Sequence, residues 1–372
     1  MKTNFENKIR LMVLFGGRSG EHEVSLASAS SVLSVLDNNK YEIFPVGITQ
    51  AGKWITGPKV LEDMGSGKTG NNEMVTILPD PGKQGLYRIQ NGSLELISHL
   101  DVVFPVLHGT FGEDGTLQGL LELADIAYVG GGVLGSSVGM DKGVFKDVMI
   151  ANGIPVVESI LVLRSDINNN MDQIIHQVEQ KIAYPIFVKP ANLGSSVGIS
   201  KCVHRSDLGE GLLEAAKYDR RILVEKGMNA REIEVSVLGN EHPIASVAGE
   251  VLPSRDFYSY ESKYVDGTSG LLIPAPIPVS TSDQIRSFAI QAFKAIDCAG
   301  MARVDFFLDK DTGKIYLNEL NSIPGFTSIS MYPKLWQATD KTYSQLVDKL
   351  IMLALERKVD RDQTKRDFRS SP

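Results

Sequence analysis

The strongest structural signal in the sequence is a predicted β-hairpin in its C-terminal third. Two segments rich in strand-forming residues, 304–309 and 314–321, are separated by turn-forming residues. Because strand side chains alternate between two faces, closing this turn brings Asp305 beside Glu319 and puts Asn321 on the same face as Glu319. Two carboxylates this close repel each other unless a cation lies between them, and all-oxygen ligands suit Mg²⁺ better than zinc. The hairpin therefore predicts a magnesium site, and an exposed hairpin end without a ligand is the alternative.

Composition places the chain among ordinary globular proteins. It has 372 residues, 42% of them hydrophobic, a formal net charge of -7 and a pI near 5.5. The length predicts two or three domains, and the acidic balance argues against a protein that binds nucleic acid or a membrane surface. No apolar stretch is long enough to span a membrane. Cys202 and Cys298 lack metal-ligand or redox spacing, so we expect a reduced, cytoplasmic compartment.

The N-terminal segment predicts an open α/β domain. Residues 10–36 predict a strand, a glycine turn without dinucleotide-fold spacing, and a helix. Glu23, near the start of that helix, is either a binding residue or an acidic side chain that the helix dipole stabilises. A buried strand at 100–107 leads into His108, which is either a ligand contact or a hydrogen-bonded loop histidine. The polar region 52–92 predicts an elaborated loop with short strands.

The middle of the chain carries a predicted phosphate-binding loop. A glycine-rich passage at 130–139 predicts a domain boundary, and residues 141–152 then predict a helix. Further on, a strand ends in Lys189 and enters a glycine- and serine-rich loop at 194–198. Backbone N–H groups, hydroxyls and one cation suit a polyphosphate, although this is no Walker A loop because the lysine precedes the glycines. Glu225, at another strand end, either binds a ribose or caps a turn.

The C-terminal third combines a predicted lid with core helices. Residues 252–273 carry four aromatic side chains among glycine and serine, which is typical of a lid. Thr281 and Gln284 have the spacing of a capping box, which predicts the start of a core helix with a 3.6-residue apolar period. Residues 343–358 predict an amphipathic helix, and the charged tail 361–372 is expected to be loose.

Several of these features combine into one predicted site. Lys142, Lys189 and the loop 194–198 lie in one predicted domain, and the hairpin ligands lie in the next. Such a set forms a clamp for phosphate and Mg²⁺, with a nucleotide between two domains. The sequence resembles the ATP-grasp superfamily and, within it, the D-alanine:D-alanine ligase family, over nearly all of residues 10–355. The motifs that carry this resemblance are Phe15-Gly-Gly, His22-Glu-Val-Ser, His108-Gly, Gly112-Glu-Asp-Gly, Gly135-Ser-Ser-x-x-Met-Asp-Lys, Val188-Lys-Pro, Gly194-Ser-Ser-Val-Gly, Tyr260-Glu-Ser-Lys-Tyr, Arg303-Val-Asp and Asn318-Glu-Leu-Asn-Ser-Ile-Pro-Gly.

The resemblance implies an α/β (α+β) ATP-grasp fold with three domains, in which ATP lies between the central and C-terminal domains. In that family, ATP phosphorylates the carboxylate of a first D-alanine, and the amine of a second attacks the acyl phosphate. The products are D-alanyl-D-alanine, ADP and phosphate, and the dipeptide enters peptidoglycan precursor synthesis. The implied divisions are an N-terminal substrate-binding domain (1–130), a central domain (131–223), a C-terminal domain with metal site and lid (224–360) and the loose tail (361–372).

The same resemblance implies the cofactors and partners. ATP and D-alanine are the expected small-molecule substrates, and two Mg²⁺ ions, or Mn²⁺ in their place, are expected at the hairpin. Phosphoryl transfer depends on positioning and charge neutralisation, which these ions and several lysines would supply. The family also implies a homodimer in a bacterial cytoplasm, without nucleic-acid or membrane partners.

Roles for individual residues follow from the resemblance as well. Arg303 and the Gly325 N–H would face the tetrahedral oxyanion, Glu23 would hold the ammonium of the first substrate, and Ser330 would hold the carboxylate of the second. The other implied substrate and catalytic residues are His108, Ser195, Tyr264 and Met331. The implied nucleotide contacts are Lys142, Lys189, Ser196, Glu225, Lys226, Glu232 and Lys263.

Two other functions remain open from the sequence. A sister ligase that joins D-alanine to D-lactate or D-serine is the nearer one, and a nucleotide-binding ATP-grasp module without catalytic activity is the more remote one. All three metal positions are filled, which counts against the second. In the resembling dipeptide ligases, the position of Tyr264 hydrogen-bonds with the pair equivalent to Glu23 and Ser195, and some D-lactate ligases have phenylalanine there. Tyr264 therefore favours D-alanine as the nucleophile.

Overall fold

A computed structural model of the protein describes residues 8–194, 197–252 and 270–365. Within these residues the chain forms a mixed α/β fold with three β-sheets. Its strands are β1 (Ile9–Gly16), β2 (Tyr41–Ile48), β3 (Trp54–Thr56), β4 (Glu73–Ile77), β5 (Gly85–Gln90), β6 (Ser93–His99), β7 (Val102–Val106), β8 (Ala127–Tyr128), β9 (Ser159–Leu163), β10 (Ile186–Pro190), β11 (Ser200–Cys202), β12 (Arg221–Lys226), β13 (Ala230–Gly239), β14 (Ile244–Leu252), β15 (Gly270–Leu272), β16 (Gly300–Asp309) and β17 (Ile315–Asn321). Its helices are α1 (His22–Val35), α2 (Val60–Gly65), α3 (Thr116–Leu123), α4 (Val133–Met140), α5 (Lys142–Ala151), α6 (Arg164–Glu179), α7 (Arg205–Tyr218), α8 (Val279–Ala295), α9 (Met331–Gln337) and α10 (Tyr343–Arg361), with short 3-10 turns at Thr69–Asn71 and Pro81–Lys83.

The first sheet has the strand order β6-β5-β4-β3-β2-β1-β7-β8. Strand β1 is a nearly continuous apolar run, and it lies between β2 and β7, which are both parallel to it. Gly16 ends β1 at a φ of 90°, and a Cβ there would lie 2.3 Å from the carbonyl oxygen of Ile48, so this turn requires glycine. The short strands expected in the region 52–92 are confirmed, but that region is more regular than a loop. Val75, Ile77 and Leu86 join the core of this sheet, which orders β3, β4 and β5.

The second sheet has four antiparallel strands in the order β11-β10-β12-β9. Helices α6 and α7 contribute apolar side chains to its core. The predicted strand ends at Lys189 and Glu225 are each found one residue later, since β10 continues to Pro190 and β12 to Lys226. Helix α6 starts at Arg164 and is interrupted at Asn170, where φ is -156° and ψ is 74°.

The third sheet has five antiparallel strands in the order β15-β14-β13-β16-β17. Helix α8 packs on it with the predicted apolar face, which includes Ile285 and Phe293. The predicted capping box is wrong, because α8 begins at Val279 and Thr281 lies inside its first turn. Pro278 holds the N-cap position with φ at -56°, and this rigid residue ends the preceding extended segment three residues earlier than expected.

Two helices pack against a sheet that is not their neighbour in the sequence. Helix α10 joins the core of the first sheet, where Leu346, Leu350 and Ile351 are buried. Arg361 also lies 2.7 Å from Asp125, next to β8. Helix α5, which the sequence placed in the central domain, joins the core of the third sheet. The limits of the three domains therefore remain a prediction, although the three sheets follow one another along the chain.

Candidate active site

A cleft with a volume of about 1360 Å³ is lined by strand residues of the second and third sheets and by residues that follow strands β1 and β7 of the first sheet. Loops that follow β1 and β7 contribute Glu21 and His108, strands β10 and β12 contribute Lys189 and Glu225, and β16 contributes Arg303. The cleft therefore brings together side chains that are up to about 280 positions apart in the sequence, as a site between domains requires.

The hairpin is formed by β16 and β17, and its pairing is the predicted one. Asp305 pairs with Glu319 and Arg303 pairs with Asn321. The Arg303 guanidinium donates to both oxygens of Asp305, at 2.8 and 2.7 Å, and its Nε also lies 2.9 Å from Glu234. Asn321 donates to Asp305 at 3.1 Å. Two facing carboxylates and an adjacent amide make an oxygen-rich group that arginine partly neutralises.

This group has the chemistry of a Mg²⁺ site. Asp305, Glu319 and Asn321 supply only oxygen ligands from adjacent strands, and all three line the cleft. In the described ranges, no cluster of three or more His, Cys, Asp and Glu side chains could hold a metal. Asn321 could add its amide oxygen to these two carboxylates as a third protein ligand.

Lys142 lies at the first position of α5 and reaches into the cleft. Its Nζ donates to the Leu193 carbonyl at 2.8 Å and lies 3.7 Å from Glu319. The preceding residue, Asp141, caps α5 by accepting from the Gly143 and Val144 N–H groups at 3.0 Å each. This fixed helix start places the ammonium between the glycine- and serine-rich loop and the hairpin.

Lys189 and Glu225 face each other across neighbouring strands, with Lys146 behind them. Lys189 Nζ lies 2.5 Å from one oxygen of Glu225, and Lys146 of α5 makes an ion pair with the other. Burial alone would raise the pKa of Glu225, but the charges of Lys189 and Lys146 outweigh it and hold that pKa below its usual range. The Glu225 carboxylate is thus an anion between two lysines, a contact that the sequence did not predict for it.

His108 and Glu113 hold the backbone of Ile323 from two sides. His108 Nδ1 donates to the Ile323 carbonyl at 2.9 Å, and the Ile323 N–H donates to Glu113 at 3.0 Å. Ser28 lies 3.2 Å from His108 Nε2 and accepts from the Phe326 N–H. Burial lowers the pKa of His108, which favours the neutral ring. Burial, followed by the nearby charge of Glu21, raises the pKa of Glu113 to about 8.

Glu21 is a cleft residue that the sequence reasoning missed. Its side chain is buried, whereas Glu23 is exposed, although both line the cleft. A Cβ at Gly194 would lie 2.8 Å from Glu21 Oε2, so the glycine- and serine-rich loop approaches this carboxylate closely. The one signal in the sequence was that Glu21, two residues before Glu23, directly precedes the helix.

The segment after the hairpin supplies the remaining cleft residues. Gly325 and Ser330 line it, and the Ser330 hydroxyl lies 2.7 Å from that of Thr327. Met331 starts α9 and is buried. Lys226, the last residue of β12, and Glu232, in β13, also line the cleft. The predicted residues Ser195, Ser196, Lys263 and Tyr264, and residues 253–269 of the predicted lid 252–273, lie outside the described residues.

Comparisons with known proteins agree with this geometry. The D-ala D-ala ligase N-terminus family matches residues 10–131, and the D-ala D-ala ligase C-terminus family matches residues 148–352. A D-alanine--D-alanine ligase of Natranaerobius thermophilus is 49% identical over 365 residues, which cover 98% of this chain and 100% of the relative. The solved VanG D-Ala:D-Ser ligase from Enterococcus faecalis has a TM-score of 0.84 at 36% identity and covers 94% of this chain and 100% of its own. The solved D-alanine-D-alanine ligase from Coxiella burnetii has a TM-score of 0.82 at 35% identity and covers 96% of each chain.

The three sheets are those of an ATP-grasp ligase, which confirms the predicted fold. The two family models together match most of the sequence, and the Natranaerobius relative matches almost all of it. The chain belongs to the D-alanine–D-alanine ligase family.

Proposed function

We propose that the protein joins two D-alanine molecules to D-alanyl-D-alanine at the cost of one ATP, through an acyl phosphate on the first D-alanine. The observation that carries this proposal is that one cleft contains two lysines suited to bind phosphate, Lys142 and Lys189, together with Arg303. The carboxylates of the β16–β17 hairpin line the same cleft. Family membership supports the same reaction. The dipeptide is a precursor of peptidoglycan.

The lysines and the hairpin would hold the triphosphate. Lys142 and Lys189 enter the cleft from two sides, and each is fixed by contacts within the protein. Such cations neutralise charge on the phosphates and keep the transferred group close to the acceptor carboxylate. Asp305, Glu319 and Asn321 would hold the Mg²⁺ ions, which neutralise the phosphoryl oxygens and orient them when bound.

Glu21 is the better placed carboxylate for the ammonium of the first D-alanine. Its side chain is buried in the cleft lining beside Gly194, while Glu23 is exposed on α1. A buried carboxylate facing a cleft binds a cationic group more strongly than an exposed one, because water screens it less. Burial and the repulsion by Glu21 together raise the pKa of Glu113. A bound ammonium would reduce this repulsion between the two carboxylates.

Arg303 and the backbone after the hairpin would stabilise the oxyanion that forms when the second amine attacks. Arg303 is oriented by Asp305 and Glu234, so its remaining N–H groups have a fixed direction. His108 and Glu113 hold the Ile323 peptide, and this fixes the course of the chain toward Gly325. Donors that are oriented before the reaction need little reorganisation when charge develops.

A D-serine-accepting ligase is the second candidate function. It is favoured by the resemblance to the solved structure named as a D-Ala:D-Ser ligase, at 36% identity. The 49% identical relative, named D-alanine--D-alanine ligase, and the tyrosine at position 264 favour D-alanine instead. D-lactate is a third acceptor with the same acyl-phosphate chemistry.

The proposal also includes a homodimer in a bacterial cytoplasm, which rests on the family. The acidic net charge supports the absence of a nucleic-acid partner. Within the ranges that the structure describes, none of the helices has the length and apolarity to cross a bilayer.

Phosphate release tests the proposed reaction. The protein should release phosphate from ATP with Mg²⁺ and D-alanine, and the rate should fall to background with L-alanine or with EDTA. Release that does not depend on D-alanine would contradict the ligase assignment, and ATP binding without any release would support a non-catalytic module.

A further inference from the structure

A buried lysine that the proposed mechanism does not use lies behind the nucleotide side of the cleft. Lys146 is only 2% exposed, and its Nζ contacts the Glu225 carboxylate and donates to the Val157 carbonyl at 3.0 Å. Glu225 and Lys189 line the cleft, whereas Lys146 lies outside the lining. The order from the interior to the cleft is therefore Lys146, Glu225, Lys189.

The three charges do not cancel. Glu225 contributes one negative charge, and the two lysines contribute two positive charges. Lys189 alone with Glu225, at 2.5 Å, would form a neutral pair and offer little attraction to an anion in the cleft. Lys146 compensates Glu225 from behind, so the trio keeps one net positive charge, and the member that faces the cleft is Lys189.

Isolated buried lysines are rare, because desolvation disfavours the ammonium. Burial lowers the pKa of Lys146, and the charge of Glu225 opposes this effect. The direct contact with the ionised Glu225 carboxylate favours the ammonium form of Lys146. A purely structural role would need only a neutral group of similar size that donates to Val157.

We propose that Lys146 is a positioning residue that sets the charge presented by Lys189 to the phosphates of a nucleotide. The inference rests on the proposed use of ATP. Its consequence is selective, since Lys146 should affect the affinity for ATP and ADP strongly and the affinity for adenosine hardly at all. A residue that only supports the fold would weaken all three ligands together.

The test compares Lys146→Met with the double variant Lys146→Met/Glu225→Gln, using calorimetric Kd values for ATP, ADP and adenosine. Lys146→Met should weaken ATP binding at least tenfold and adenosine binding less than twofold. The double variant again has a net charge of one, on Lys189, so its ratio of ATP to adenosine affinity should return to within threefold of wild type. The ratio corrects for any contact between Glu225 and the nucleoside.

Lys358→Met is a matched control. Lys358 lies 3.0 Å from Asp125, which Arg361 also contacts, so it is likewise one of two cations around one carboxylate. It lies on α10, away from the cleft lining. This variant should leave all three Kd values within twofold of wild type.

The outcomes separate the inference from the proposed function. If the wild type binds adenosine and ATP equally weakly, the proposed function fails. If the wild type prefers ATP but Lys146→Met weakens ATP and adenosine to the same extent, or the double variant does not recover the ratio, the inference is overturned. If Lys146→Met does not fold, the double variant alone still tests the inference. A ratio of ATP to adenosine affinity tenfold below that of wild type in the double variant would contradict the charge argument.

Discussion

Replacing Asp141 is expected to destabilise the protein in two separable parts. Asp141 precedes Lys142 and uses its two oxygens differently. Oδ1 caps α5 through two backbone N–H groups at 3.0 Å and also accepts from Arg221 at 3.3 Å, whereas Oδ2 accepts from Arg221 at 2.8 Å and from Asn192 at 3.1 Å. The Asp141 and Arg221 side chains are 13% and 20% exposed, so solvent screens their interaction only weakly.

The magnitudes follow from which oxygen is lost. Asp141→Asn keeps an oxygen for the cap but turns an amide donor toward Arg221 and Asn192, and losing this charge-assisted bond costs about 1.5–3 kcal/mol. Asp141→Ala also removes the cap, which adds about 1 kcal/mol. The expected loss in free energy of unfolding is thus about 2 kcal/mol for the asparagine variant and about 3 kcal/mol for the alanine variant.

Urea unfolding at pH 7, followed by circular dichroism, measures both losses. The pKa of Asp141 lies below its usual range, because the Val144 N–H and Arg221 outweigh the effect of burial. A lowered pKa in the folded state gives stability that is present above the unfolded-state pKa and lost as pH falls through the folded value. The gap between wild type and Asp141→Asn should therefore shrink below about pH 4. Equal losses for the two variants, or a gap that does not change with pH, would refute this division of roles.

Three further predictions concern the site. Glu319→Gln should lower kcat at least tenfold, about 1.4 kcal/mol, while the thermal midpoint changes little, and a smaller fall at saturating Mg²⁺ would remove Glu319 from the principal metal ligands. Glu21→Gln should raise the KM of the first D-alanine more than Glu23→Gln does, as measured by steady-state kinetics, and the reverse order would restore Glu23 as the ammonium contact. Tyr264→Phe should raise the ratio of D-alanyl-D-lactate to dipeptide formed from equimolar acceptors, which corresponds to a loss of about 1–3 kcal/mol in discrimination between them. An unchanged ratio would place the acceptor specificity elsewhere.

The sequence predicted best what depends on neighbouring residues. The hairpin pairing of Asp305 with Glu319 follows from the turn and from strand alternation, and the structure confirms it. The start of α8 was mispredicted, because the capping spacing of Thr281 was given more weight than the rigid Pro278 three residues before it.

Contacts between distant segments could not be predicted where no motif marks the residues involved. Lys146 meets Glu225 only because α5 packs on the third sheet while β12 belongs to the second, and no local pattern shows that a helical lysine will be buried. The bond from Ile323 to Glu113 spans 210 positions. Glu21 and Glu23 differ by two positions in the sequence, and only the fold shows that Glu21 is buried and Glu23 is exposed.

The most direct test of the central claim is identification of the product by mass spectrometry. The protein is incubated with ATP, Mg²⁺ and an equimolar mixture of D-alanine, D-serine and D-lactate. The predicted result is D-alanyl-D-alanine as the main product, with one ADP and one phosphate formed for each dipeptide. A main product that contains D-serine or D-lactate, or the absence of any condensed product while ATP is bound, would contradict the assignment.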